Sequence, residues 1–171
     1  MSSDLSSCLQ AFLSGATRVA VLGVGSEDRG DDGVGMRVAS LVKAMMGESR
    51  WVRVFHGHTA PENLTGEIKG FGPSHLLVVD AARLGTEPGK AAFLSEDQIG
   101  GAPLATHTLP LGVMFSYLRD TFPKLKIGVV GIEPGDTAFG KRMSVGLELA
   151  AVAAFAAIAE AIWTSIPTPD S

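Results

Sequence analysis

Apolar residues along this chain fall into two patterns, short solid runs and helical stripes, and the two alternate. Val19 to Val24 is an apolar run ending among glycines, the pattern of a strand buried on both faces. Val34, Val38, Leu41, Val42 and Met45 then recur at helical spacing, with Gly47 placed to close the helix. Trp51 to Phe55 reads as a second strand. His75 to Asp80 is the clearest strand, apolar until it stops at an acid, and Ala91 to Leu94 reads as a short edge strand. Leu111, Met114, Phe115, Leu118 and Phe122 mark a second helix, with Pro110 in its first turn where a missing N–H costs little. Lys126 to Ile132 is the last strand, and Met143 to Trp163 is a long Ala-rich helix before Pro167 and Pro169 in a frayed tail. Strands alternating with helices predict an α/β, doubly wound, mostly parallel sheet in three layers, with helices on both faces.

Composition narrows this picture. A chain of 171 residues with 46% hydrophobic and 19% charged residues sustains one core, so a single domain over 1–171 is expected, with its core in 18–163 and peripheral ends 1–17 and 164–171. The net charge of −4 comes without a basic cluster, which argues against a nucleic-acid partner. Cys8 is the only cysteine, so no internal disulfide can form, and its segment reads as surface. The N-terminal residues lack a basic n-region and a long apolar stretch, and no apolar run reaches the ~18 residues of a spanning helix. No membrane association and a cytoplasmic location are therefore expected. Leu149 to Ala159, between Glu148 and Glu160, comes closest and reads as a buried or interfacial helix. The Ala-rich helix offers more apolar surface than one cover of a sheet needs, so part of it is expected to meet a partner or a second copy, around a mainly monomeric protein.

In doubly wound sheets, ligands bind beyond the carboxyl ends of the strands, near the point where strand order reverses. Asp80 ends a strand there, Asp31 and Asp32 lie in the loop after the first strand, and His107 precedes a helix. The first loop invites comparison with a dinucleotide site, because Gly23 and Gly25 begin a G-x-G-x-x-G run. Asp28 stands where the third glycine belongs, and Glu27, Asp28, Asp31 and Asp32 against Arg29 would repel a pyrophosphate. One acid suffices to cap the next helix, so one of Asp31 and Asp32 has a structural role and the other is open to function. An ionised carboxylate at the end of an apolar strand costs several kcal/mol unless it is paired, which singles out Asp80. No G-x-S-x-G, no H-E-x-x-H and no placed cysteine nucleophile occurs. Two carboxylates and an imidazole can instead neutralise a divalent cation and leave positions open for substrate, and zinc, nickel, cobalt and manganese all suit such donors.

The chain resembles the hydrogenase maturation endopeptidases over residues 18–162. The resemblance rests on V-L-G-V-G from Val21, G-D-D-G-V-G at Gly30 to Gly35, A-P-E at Ala60 to Glu62, and L-L-V-V-D-A ending at Ala81. It continues through T-H-T-L-P-L from Thr106 and G-V-V-G-I-E-P from Gly128. It implies a five-stranded sheet and a metal site of Asp32, Asp80 and His107, leaving Asp31 as the helix cap. It also implies removal of a C-terminal extension from a [NiFe] hydrogenase large-subunit precursor after nickel insertion, with the precursor's nickel sensed by the protease. Zinc or cadmium would fit the same donors. The nickel would polarise the scissile carbonyl or activate a water; were it only to position the peptide, Glu62 would be the candidate base. Glu62 and Thr106 are candidate substrate contacts. A nickel-sensing chaperone that releases the precursor uncut is the alternative.

Two departures stand out. Gly25-Ser26 replaces the Gly-Asn usual after the first strand, and His56-Gly57-His58 stands where an acid followed by glycines is common. His56 and His58 read as surface residues, with a weak metal-proximal ligand as the other reading.

Overall fold

Five strands form one sheet in the order β2-β1-β3-β5-β4. The computed structural model describes residues 2–47, 49–101 and 107–166, so Thr106 and the expected tail with Pro167 and Pro169 lie outside the described residues. β1 (Val19–Val24), β2 (Val52–His58), β3 (His75–Ala81) and β5 (Lys126–Ile132) run parallel, and β4 (Ala91–Ser95) pairs antiparallel with β5 at the edge. The expected doubly wound, mostly parallel sheet is therefore the observed one.

Alternation along the buried strands sends side chains into two cores. Val19 and Val21 meet α1 (Ser2–Leu13), α2 (Val34–Met46) and α6 (Val145–Ser165) on one face. Ala20, Leu22 and Val24 share the other core with residues of α3 (Thr65–Phe71), α4 (Glu96–Gly101) and α5 (Thr108–Thr121). By length and composition α6 could cross a membrane. Leu147, Ala151, Ala154, Ile158 and Ile162 are nevertheless buried in the first core, where α6 packs on α1 and α2.

One expected boundary is wrong. Residues 1–17 are not peripheral, because α1 buries Leu5, Leu9 and Leu13 in the first core. Each fully buried leucine contributes about 1.5–3 kcal/mol of transfer free energy. Cys8 is half-buried on this helix rather than in a surface segment. The far end also holds more helix than expected, since α6 runs on to Ser165.

Two glycines set the geometry of the first loop. A Cβ at Gly35 would lie 2.1 Å from the Val79 carbonyl oxygen and 2.4 Å from that of Val24, so the first turn of α2 sits directly on the ends of β1 and β3. Gly25 has φ +140°, and a Cβ there would lie 2.0 Å from the Asp32 carbonyl oxygen. These glycines bring the loop down onto the sheet, and the loop then turns through a 3-10 segment, Gly30–Gly33, into α2. β2 and β3 lie on opposite sides of β1, so strand order reverses between β1 and β3, where Asp32 and Asp80 emerge.

Candidate active site at the switch point

The backbone amides of the first loop are already engaged. Gly30 N–H donates to the Lys141 carbonyl, Asp31 N–H to that of Asp136 and Asp32 N–H to that of Arg29. A phosphate cradle needs such amides open, so the glycine-rich loop is a packing device and not a dinucleotide site.

Asp31 and Asp32, adjacent in sequence, diverge in role. Asp31 is buried and does not cap α2, whose N-cap is Gly33 with no side-chain cap. Its Oδ1 accepts Ser144 N–H at 2.8 Å, and its Oδ2 accepts Gly135 N–H at 2.9 Å and the Ser144 hydroxyl at 3.2 Å. Ser144 in turn caps α6, accepting Leu147 N–H at 3.3 Å. The structural role expected of Asp31 is thus present by another route, a staple between the first loop and the start of α6. Sequence spacing could not show this, since the partners are more than a hundred residues away.

Asp32 is buried, and its Oδ2 accepts Ser26 N–H at 2.9 Å. The donor is backbone, so a serine in place of asparagine at position 26 leaves this bond intact. The same oxygen lies 3.9 Å from His107 Nε2. Asp80 is fully buried at the end of β3, with Oδ1 3.1 Å from His107 Nδ1 and Oδ2 accepting His107 N–H at 3.3 Å. When Asp80 is ionised it only accepts, so Nδ1 carries the proton, and the neutral tautomer then has its lone pair on Nε2, the nitrogen nearer Asp32.

The electrostatics follow from this placement. Burial pushes the Asp80 carboxyl above its ordinary range, opposed by the hydrogen bond from His107. The hydrogen bond to Asp80 raises His107 above an ordinary histidine, opposed by its own burial. Both groups hold protons more tightly in the fold than in the open chain.

The three expected ligands therefore come together, but not as three equivalent ones. Among the described residues, no group of three or more His, Cys, Asp and Glu side chains is arranged to hold a metal ion. Asp32 and Asp80 instead address opposite nitrogens of one imidazole. As placed, the three side chains do not form a closed three-ligand cage. Asp32 Oδ2 and His107 Nε2, 3.9 Å apart, stand somewhat wider than the ~3.4 Å between tetrahedral donors at 2.0–2.2 Å from an ion, so a small closure would let the two share a cation.

The other candidates separate from the trio. Glu62 lies in a 3-10 turn, Pro61–Leu64, and makes no hydrogen bond to these three residues; its Oε2 is buried without a partner. Thr106 lies outside the described residues. His56 is half-buried with Nε2 3.1 Å from the Ser40 hydroxyl, and burial lowers its pKa. His58 is exposed with φ +50°, and its carbonyl accepts Gly25 N–H at 2.8 Å. A further buried acid went unrecognised in the sequence. Glu133, just beyond β5, accepts Leu84 N–H at 2.5 Å and Thr86 N–H at 3.4 Å, and pairs with Arg83 at 3.7 Å. Its signal was available in the G-I-E-P stretch, where an acid directly follows an apolar strand.

Comparison with known proteins agrees with this architecture. Residues 36–165 match the family described as Hydrogenase maturation protease. A putative hydrogenase maturation protease of Methanocaldococcus jannaschii is 30% identical over 128 residues, 71% of this chain and 75% of the relative. The Hydrogenase 3 maturation protease of Escherichia coli K12 is 32% identical over 120 residues, 70% of this chain and 74% of the relative. Among solved structures, a [NiFe] hydrogenase maturation protease from Thermococcus kodakarensis superimposes with a TM-score of 0.82 at 29% identity, covering 91% of this chain and 99% of that one. A hydrogenase maturating endopeptidase from Escherichia coli gives 0.74 at 26% identity, covering 86% and 93%. The chain belongs to the hydrogenase maturation proteases, hydrolases acting on peptide bonds.

Proposed function

We propose that this protein removes the C-terminal extension of a [NiFe] hydrogenase large-subunit precursor, and that it recognises the nickel already seated there. The observation that carries the reading is the pair of donors, Asp32 Oδ2 and His107 Nε2, facing each other across 3.9 Å at the switch point with Asp80 behind the ring. Two donors are too few for a resident cage, but they suit an ion that arrives with other ligands of its own. Asp80 fixes the tautomer and orientation of the imidazole and adds negative charge beside the cation, the arrangement of a carboxylate–histidine–metal relay.

Held between Asp32 and His107, the precursor's nickel would supply Lewis acidity to the scissile carbonyl or to a water. Water oxygen adds to the carbonyl carbon, the C–N bond breaks, and the departing amine takes a proton. No G-x-S-x-G elbow and no H-E-x-x-H helix occurs in the chain to supply such activation instead. The test is incubation of the pure protein with nickel-loaded and nickel-free precursor, read as mobility on a denaturing gel. Shortening of the loaded precursor alone is expected. Cleavage of nickel-free precursor at full rate would overturn nickel recognition, and tight binding without cleavage would replace the reading with that of a chaperone.

A further inference from the structure

Large apolar side chains left open to solvent are concentrated around the site. Among the described residues, the four most exposed are Leu109 (83%), Val145 (77%), Phe139 (75%) and Leu149 (67%). Leu109 stands in the first turn of α5, two residues beyond His107. Val145 begins α6 directly after Ser144, the residue stapled to Asp31, and Leu149 lies one turn further on the same helix. The apolar excess expected of this helix from its sequence is thus greatest at the end nearest the site.

Phe139 is the most informative of the four. It sits in the connection from β5 to α6, which is bonded repeatedly to the loop that carries Asp32. Gly140 N–H donates to the Asp28 carbonyl at 2.7 Å, Gly30 N–H to that of Lys141 at 3.1 Å, and Asp31 N–H to that of Asp136 at 3.0 Å. Ala138 N–H is held by the Asp136 carboxylate at 2.9 Å. An aromatic ring on a backbone so pinned loses little freedom when a partner covers it. That preorganisation is what makes a small number of aromatic anchors dominate protein interfaces.

We infer that Leu109, Phe139, Val145 and Leu149 form an apolar rim that docks an apolar patch of the precursor's folded body, beside the peptide to be cut. This rests on the proposed function. Leu109 follows His107 by two residues, and Phe139 and Val145 flank the Asp31-anchored Ser144, so the rim borders the site from two sides. None of the four belongs to either buried core, and a patch this apolar beside a buried, charged site marks an interaction surface.

The test measures processing against precursor concentration for wild type, Leu109→Ser, Phe139→Ser and Trp163→Ser, using a purified nickel-loaded large-subunit precursor that wild type binds. Trp163 is 56% exposed near the far end of α6 and serves as the control. Leu109→Ser and Phe139→Ser should each raise KM about tenfold or more with kcat and Tm retained, and Trp163→Ser should change neither. In parallel, Trp163→Ser should compete with wild type for immobilised nickel-loaded precursor as wild type itself does, and Phe139→Ser should not. Competition that survives Phe139→Ser, an equal loss in Trp163→Ser, or an effect on self-association alone would overturn the rim. If wild type binds precursor without cutting it, the cleavage reading fails, and the competition experiment still decides the rim.

Discussion

Four buried acids stand at the carboxyl edge of this sheet, and they form two unlike pairs. Asp31 and Glu133 spend their oxygens on backbone amides of distant loops, Gly135 and Ser144 in one case, Leu84 and Thr86 in the other. Asp32 and Asp80 converge on the two ring nitrogens of His107. The first pair fixes where the loops sit. The second pair brings a ring nitrogen and a carboxylate oxygen to 3.9 Å from each other at the switch point, a juxtaposition of donor atoms that the first pair lacks. Burial alone does not distinguish them, since all four are covered. What separates a staple from a site is whether the partners are backbone amides or another titratable side chain, and this cannot be judged from the acid's position in the sequence.

The largest effect should come from breaking the second pair. Asp32→Asn and His107→Ala are expected to lower precursor processing at least ~100-fold, because each removes a donor to the cation. Asp80→Asn should also cut processing by roughly 10–100-fold while leaving the melting temperature near wild type, since the cost of burying its charge disappears with the charge. Rates on loaded precursor and thermal melts check these expectations together. Should Asp80→Asn abolish nickel capture as completely as His107→Ala, Asp80 is a direct ligand and not the residue that orients the ring.

Breaking the first pair should show the opposite pattern. Asp31→Ala leaves the Ser144 and Gly135 amides without their charged acceptor, at a cost of about 2–4 kcal/mol by denaturant titration, with processing retained per folded molecule. A simple helix cap would cost only ~0.5–1 kcal/mol, so the measurement discriminates the staple from the cap. Glu133→Gln keeps an acceptor for Leu84 N–H and loses the pairing with a half-exposed Arg83, so about 1 kcal/mol is expected. If either variant abolished cleavage while remaining fully folded, the division into two pairs would fail.

Much of this edge was legible in the sequence, and the reasons are specific. The solid runs of β1, β3 and β5 and the stripes of α2 and α5 are strong periodic signals, and the rule that sites lie beyond strand ends gathered Asp31, Asp32, Asp80 and His107, with Asp32 preferred over Asp31 only through the family resemblance. The role of Asp31 was only half legible: adjacency to a helix suggested a cap, whereas its true partners come from the β5–α6 connection. α1 was missed as part of the core because Leu5, Leu9 and Leu13 are separated by serines, Cys8 and Gln10, a sparse stripe beside the dense ones. The unequal roles of Asp32 and Asp80 were out of reach, because which ring nitrogen a carboxylate meets depends on the path of the chain before α5.

The smallest effect concerns pH, and it tests the link between Asp80 and the ring. His107 in the fold titrates above the 6.5 of an ordinary histidine, chiefly because of its hydrogen bond to Asp80. Only the neutral ring offers a lone pair to a cation, so processing should fall as pH drops through this raised value, with the midpoint above 6.5. Stability runs the other way. A histidine that binds its proton more tightly in the fold contributes stability that is complete below the unfolded pKa and is lost as pH rises through the folded one. Asp80, also raised, has its corresponding contribution present below 3.8 and lost as pH climbs through its folded pKa. As pH rises from 6.5 through the raised folded value, the protein should therefore lose a little stability as nickel recognition improves. Asp80→Asn removes the partner that holds the proton on Nδ1, so its residual nickel binding should fall off at a lower pH than that of wild type. Capture of nickel-loaded precursor across this range, on both proteins, measures the displacement. Superimposable profiles would show that Asp80 does not govern the ring, and the separation of the acids into staples and a site would then rest on geometry alone.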